Sequence, residues 1–283
     1  MKEHWYVEML KERGAAEAEP SCEPREDLLR LQSSVKATIS SRCPPRTRPR
    51  LLLPVLNNYV QKIPAGILDC RKGCTTCCHF TVTIAPPEAL SIAEFLRKFT
   101  PKKDLPALKA RLQETGKQAL ALSFKERATR RIPCVFLAPD GACSIYPVRP
   151  LVCAGQNSMW ADLCKPEEPI RVRISELEGI ATALFGGLLE VEVLDRRRVR
   201  SLELASAVAL ALDPHLEARY VAGEDVFQAA DGTALEIIDF LRPGPDLAPL
   251  QLAAVQRLVA HLEKSGRHEA LALVQRKTTM FAR

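Results

Sequence analysis

Apolar residues recur at helical spacing along most of the chain. Leu28, Leu31, Val35 and Ile39 share one face and predict a helix near 26–41. A second helical stretch begins around Pro54, with Val55, Tyr59, Val60 and Ile63 on one side. Pro86-Pro87 suits the first turn of a helix that runs through Phe99. Leu105, Leu108, Leu112, Ala119 and Leu122 mark one long helix over about 104–130. Ser175 and Glu178 have capping-box spacing ahead of Ile180, Leu184 and Leu188. The Ala/Leu-rich run 201–212 stops before Pro214, and the C-terminal end reads as a helix hairpin turned at Gly266.

The helical period breaks in a few places. Thr81-Val82-Thr83-Ile84 reads as a short strand. Ile132–Leu137 and Cys143–Tyr146 read as two strands joined by a turn at Asp140-Gly141. Cys43–Arg50 reads as a proline-rich basic linker, and Arg242-Pro243-Gly244-Pro245 as another. No internal repeat is visible. The expected fold is mostly α: a helical body with a small, irregular cysteine-rich region containing a short β-hairpin. Three segments follow: a partly flexible N-terminal segment with one helix (1–50), a cysteine-rich metal-binding domain (51–166) and a helical C-terminal region (167–283).

Composition adds little to that outline. The chain has 283 residues, 47% hydrophobic and only 5% aromatic, so its core is built mainly from Leu, Ala, Val and Ile. Met1–Gly14 lacks the apolar stretch of a signal peptide. No run approaches the roughly 20 apolar residues of a membrane span. The expectation is a cytoplasmic protein with no membrane partner, whose thiols stay reduced. Net charge is +6, and residues 251–283 hold six basic side chains against two acidic ones. A single aromatic residue, Phe281, lies among those charges, too few for a stacking platform, which disfavours nucleic acid. The charges read first as a solvated helix face, with a protein partner docking on the basic C-terminal helices as the alternative.

The cysteines change the picture. Ten are present, and eight fall between Cys70 and Cys164. Cys70, Cys74, Cys77 and Cys78 are spaced so that a helical turn or a tight loop brings at least three sulfurs toward one centre. The Asp140-Gly141 turn brings Cys134 near Cys143, and Cys153 and Cys164 follow. Thiolates at such spacings suit a soft metal or an iron–sulfur cluster. In this reading the metal ligands are drawn from all eight. Cys22 and Cys43 stand apart in polar, proline-containing sequence. His79 follows the cysteine pair as a lesser ligand candidate, and Asn157 and Trp160 flank the last loop.

Arg149 and Tyr146 are candidates to contact the cofactor. A thiolate-ligated cluster carries net negative charge, and a guanidinium with several fixed donors can offset it. Zinc would accept the same sulfurs in closed four-ligand sites, so residue chemistry alone leaves Zn2+ and iron–sulfur both open.

The segment from Cys70 to Cys153 resembles the YkgJ-type cysteine-cluster family of zinc- or iron-chelating proteins. The resemblance rests on Cys70, Cys74, Cys77 and Cys78, on Pro133-Cys134-Val135-Phe136-Leu137, on Gly141-Ala142-Cys143-Ser144-Ile145-Tyr146, and on Arg149-Pro150-Leu151-Val152-Cys153. Where that family commonly has a charged residue after the last of these cysteines, this chain has Ala154-Gly155. Flagellin lysine N-methylases carry a similar module. The resemblance favours a [4Fe–4S] cluster over zinc and implies redox or group-transfer chemistry, methyl transfer included. The alternative is a non-catalytic zinc-binding structural or sensor module that binds a macromolecular partner. No glycine-rich dinucleotide or phosphate loop accompanies the cysteines, so the sequence leaves enzyme status open.

Overall fold

The computed structural model describes residues 26–39, 43–63, 65–71, 73–122, 124–159, 161, 164, 175–231, 263–264 and 272. The expected helix hairpin at Gly266, the Arg242–Pro245 linker, Trp160 and Cys22 lie outside the described residues. The helices are α1 (Glu26–Thr38), α2 (Arg48–Gln61), α3 (Pro86–Phe99), α4 (Leu105–Leu120), α5 (Phe124–Thr129), α6 (Leu151–Gly155), α7 (Ser175–Leu194), α8 (Leu204–Ala211) and α9 (Leu216–Val221). One two-stranded antiparallel sheet joins them, from β1 (Thr83–Ile84) and β2 (Leu202–Glu203), with Thr83 opposite Glu203 and Ile84 opposite Leu202. The fold is therefore mostly α. Among the described residues no helix is long and apolar enough to cross a membrane.

Two apolar cores hold the helices. In the first, α3, α4, α8 and α9 pack around Ile84, Ile92, Leu112, Leu202, Val208 and Tyr220, and Phe136 and Ile145 are drawn in from the cysteine-rich loops. In the second, α1, α2 and α7 pack around Val35, Leu52, Leu56, Leu184, Phe185 and Leu188, with Leu151 and Ala154 from α6. Ile180, Leu184 and Leu188 are buried as their spacing predicts. The Ser175 side chain, the other half of the expected capping box, lies outside the described residues. Both cores therefore reach into the cysteine-rich segment, one through Phe136 and Ile145 and the other through α6.

Four sequence expectations need correction. The helix expected over 104–130 is two, α4 and α5. The buried face of α4, Leu112, Gly116 and Ala119, lies on α8 and ends there. The chain then turns so that Arg127 of α5 is buried as well. The expected hairpin keeps its turn but not its strands. Gly141 has φ +77, and Ala138 N–H donates to the Ala142 carbonyl at 2.8 Å. Pairing is reduced to one bridge, Leu137 to Cys143, because Cys134 N–H donates to the Cys78 carbonyl and Pro133 and Pro147 have no N–H to offer. The Ala/Leu-rich run 201–212 is not helical throughout. Its first residues form β2, because the exposed N–H and C=O groups of β1 find their partners there.

The Cys43–Arg50 segment is not a linker. It forms a single 3₁₀ turn at Pro45–Thr47 and the first turn of α2. Its arginines anchor it. Arg46 pairs with Glu94 at 3.0 Å and with Glu217 at 2.5 Å. Arg48 is fully buried and pairs with Glu192, and with Asp195 at 2.6 Å. Glu192 also accepts from Arg197 at 3.0 Å and from the Tyr220 hydroxyl at 2.9 Å. This network ties α2, the end of α7 and α9 together without any metal.

Glu192→Ala is expected to lose about 3 kcal/mol of stability, because it leaves the two buried cations Arg48 and Arg197 with one carboxylate, Asp195, between them. A chemical-denaturation midpoint measures it. Arg30→Ala, which breaks an exposed pair with Glu26 on α1, is the control and should move the midpoint little.

Candidate metal centre

The first cysteine group is held by a loop and one short turn, not by a regular helix. Cys74 N–H donates to the Arg71 carbonyl at 3.0 Å, with Gly73 at φ +89. Thr76–His79 then form a 3₁₀ turn, with Cys78 N–H on the Thr75 carbonyl at 2.9 Å. The hairpin turn packs against this loop. A Cβ on Gly141 would lie 3.1 Å from Gly73 Cα, so the two glycines allow the backbones to meet. That contact, with the 2.6 Å bond from Cys134 N–H to the Cys78 carbonyl, places the second cysteine pair beside the first.

Cys153 arrives on α6. Ala154 and Gly155 are buried there, and a Cβ on Gly155 would collide with Ala181 of α7. A charged residue after Cys153 could not lie in this contact, which gives Ala154-Gly155 a physical reason. The far end of the site closes on the first cysteine. Ser158 N–H donates to Cys70 Sγ at 3.2 Å, Asp69 N–H donates to the Ser158 carbonyl at 3.0 Å, and Asp69 accepts from Ala161 N–H at 3.2 Å. Cys164 follows by one turn, with its N–H on the Ala161 carbonyl.

All eight sequence-predicted cysteines thus enter one neighbourhood, and their sulfurs feel one another. Cys70 is exposed as a residue, yet the protein around its sulfur pushes its pKa up to about 11, helped by Cys74, Cys77 and Cys164. Burial pushes Cys134 up to about 11 and raises Cys74 and Cys143. Cys78 is raised, first by its hydrogen bond with the Cys77 side chain and then by burial. Cys153 is raised well above the ordinary thiol value by burial, with Cys134, Cys77 and Cys143 adding to it. Each shift favours the neutral thiol, and a bound cation is what reverses it.

The thiols are neighbours more than a closed shell. Among the described residues no three His, Cys, Asp or Glu side chains converge on one ion position. The donor set itself, all sulfur and largely screened from water, fits a soft metal or an iron–sulfur cluster. Cys43 stands apart, its sulfur near the Pro44 carbonyl and its own carbonyl accepting from Arg48. The Nδ1 atom of His79 lies 3.1 Å from the Thr75 carbonyl, which engages one of its two possible ligating nitrogens. Asn157 is buried and donates to the Gly155 carbonyl at 3.1 Å.

Arg149 lies at the rim. Its guanidinium stacks 4.2 Å from the Tyr146 ring centroid, donates to Asn57 at 3.4 Å, and draws the Cys143 thiol pKa downward against burial. Tyr146 is 58% exposed, so it presents its ring to Arg149 at the surface.

Sequence reasoning missed Glu88. It is 2% exposed and accepts two backbone N–H groups, from Ala85 at 2.9 Å and from Leu151 at 2.8 Å. One carboxylate therefore caps the N-termini of both α3 and α6, where helix dipoles favour negative charge. Burial still pushes its pKa up to about 7. The visible signal was a glutamate at the third position of a helix opened by Pro86-Pro87, half of a capping box. Nothing local marks Leu151 as its second donor.

These features define a cysteine-cluster metal-binding domain set into a helical scaffold. Residues 69–173 match the CxxCxxCC family, described as a "putative zinc- or iron-chelating domain". Metal chelation is accordingly the function class of this segment. The chain has three residues between its first two cysteines where the family's name writes two. No curated protein and no solved structure matches the chain.

Glu88→Ala should cost about 3 kcal/mol, from two charge-assisted hydrogen bonds at about 1.5 kcal/mol each. It should also free α6 and weaken metal retention about 10-fold. Denaturation midpoints and the rate of metal loss to a chelator measure the two effects. Unchanged retention would separate the α6 cap from the metal centre.

Proposed function

We propose that the cysteine cluster holds an iron–sulfur centre of the [4Fe–4S] type and that the chain uses it in redox or group-transfer chemistry. The observation that carries this reading is the donor set. Thiols from the 70–78 loop and α6 are gathered around Cys77, and those of Cys70, Cys78 and Cys153 are raised by their surroundings. When bound, such a centre supplies reversible one-electron exchange.

The chain's own residues then have defined tasks. Cys77 is the common neighbour of both cysteine groups. Helix α6 delivers Cys153 and is fixed by Glu88 at one end and Ala181 at the other. Arg149 stands over the open side at Cys143, where its charge offsets thiolate charge without ligating.

A second reading, two structural zinc sites, is favoured by the way the sulfurs divide. Cys70 faces Cys74, Cys77 and Cys164, whereas Cys153 faces Cys134, Cys143 and Cys77. Under that reading the scaffold would present the basic C-terminal segment to a protein partner.

The full-length chain purified without oxygen decides between them. Iron and acid-labile sulfide in matching amounts, with broad visible charge-transfer absorbance, are expected. A colourless protein carrying stoichiometric zinc overturns the iron–sulfur reading. In the iron-loaded protein, Arg149→Ala should keep its iron but become harder to reduce, with a lower midpoint potential. Arg149→Lys should recover part of the shift, through charge without the planar fork. Equal potentials in all three proteins would remove Arg149 from the site.

A further inference from the structure

A second arginine lies on the inner side of the cysteine cluster. Arg127 of α5 is 4% exposed, and its Nε and Nη1 atoms have no hydrogen-bond partner. It lines a small pocket of about 10 Å³ with Phe80, Thr115, Cys134 and Glu203. That is room for one water at most. The chain leads directly from this arginine to the sulfur. Ile132 N–H donates back to the Arg127 carbonyl at 3.4 Å and Arg131 takes the left-handed conformation at φ +51, which ends α5 and aims the chain into Pro133-Cys134.

A guanidinium cannot shed its proton in a protein. Left without an anion in a buried site, it costs several kcal/mol. Glu203 shares the pocket and feels the Arg127 charge, but its two oxygens accept from the first turn of α8, from Ala205 N–H at 3.1 Å and Ser206 N–H at 2.7 Å, and no hydrogen bond joins it to the Arg127 Nε or Nη1. The pocket is too small for a phosphate or a carboxylate ligand. Of the remaining side chains on its wall, Thr115 offers only a neutral hydroxyl, whereas Cys134, whose thiol feels the Arg127 charge, is one that metal binding can turn into an anion.

We propose that Arg127 is the inner counter-cation of the metal–thiolate centre, offsetting the charge of the Cys134 thiolate from inside the protein as Arg149 faces it from the rim. This rests on the reading of the cysteines as metal ligands. Arg127 is then a positioning residue and not a ligand. Its charge faces only Glu203 while Cys134 is a neutral thiol, and gains a second anion once metal binding makes a thiolate.

The sign of a stability change separates this role from simple structural pairing with Glu203. In the full-length chain, Arg127→Met should leave the metal-stripped protein as stable as wild type or more so. The metal-loaded variant should melt lower than loaded wild type and lose metal to a chelator about 10-fold faster. Arg127→Lys should restore part of the retention. Equal destabilisation with and without metal would make Arg127 a partner of Glu203 and overturn the inference. So would unchanged chelator release from a loaded Arg127→Met protein, which would leave the metal-binding reading intact. A wild-type chain that binds no metal at all would overturn both. If the stripped chain does not fold, release rates of the loaded Met and Lys variants decide alone.

Discussion

Sulfurs brought together and partly withdrawn from water resist ionising, and that resistance governs the middle of this protein. Each thiol that loses its proton makes the next loss harder, because its neighbours are other sulfurs. A metal centre inverts the balance by replacing several protons with one concentrated positive charge. The surrounding protein must then tolerate two charge states of one neighbourhood, neutral when empty and anionic when filled by a thiolate-ligated cluster. The second of these requires cations at fixed places.

The scaffold meets that requirement by placing the cluster at the seam of its two cores. Phe136 and Ile145 carry the Cys134–Cys143 turn into the α3–α8 core, while Leu151 and Ala154 carry Cys153 into the α1–α2–α7 core. Glu88 crosses the seam, capping α3 and α6 with one carboxylate. The metal does not have to gather distant segments unaided, because backbone contacts already hold Cys70 to Ser158 and Cys78 to Cys134. Its own contribution to stability is then concentrated in the loops between these contacts.

The helices and the Asp140-Gly141 turn were legible because their signals are local: apolar spacing, prolines at helix starts, and a glycine where φ is positive. The cysteine constellation was legible for the same reason in its first four members. What escaped depends on partners far away in the chain. Leu202-Glu203 is a strand only because Thr83-Ile84 lies beside it. The Cys43–Arg50 segment reads as a linker until Glu94, Glu192 and Glu217 are placed against its arginines. Arg127 sits in a stretch that periodicity assigns to the end of one long helix, and only the break after Leu120 turns it inward.

Arg149 and Arg127 show what sequence distance can and cannot reveal about an anionic centre. Arg149 is a candidate because it precedes Cys153 by four residues, and the structure gives it a rim position shared with Tyr146 and Asn57. Water screens a charge there, so its influence on a bound centre would be modest and salt-dependent. Arg127 is seven residues from Cys134 and carries no motif, but it lies where water does not reach. A charge in that position acts through a lower effective dielectric, so it weighs more on the sulfur than a rim charge of the same sign. The residue least marked in the sequence is therefore the one best placed to set how tightly the centre holds its charge.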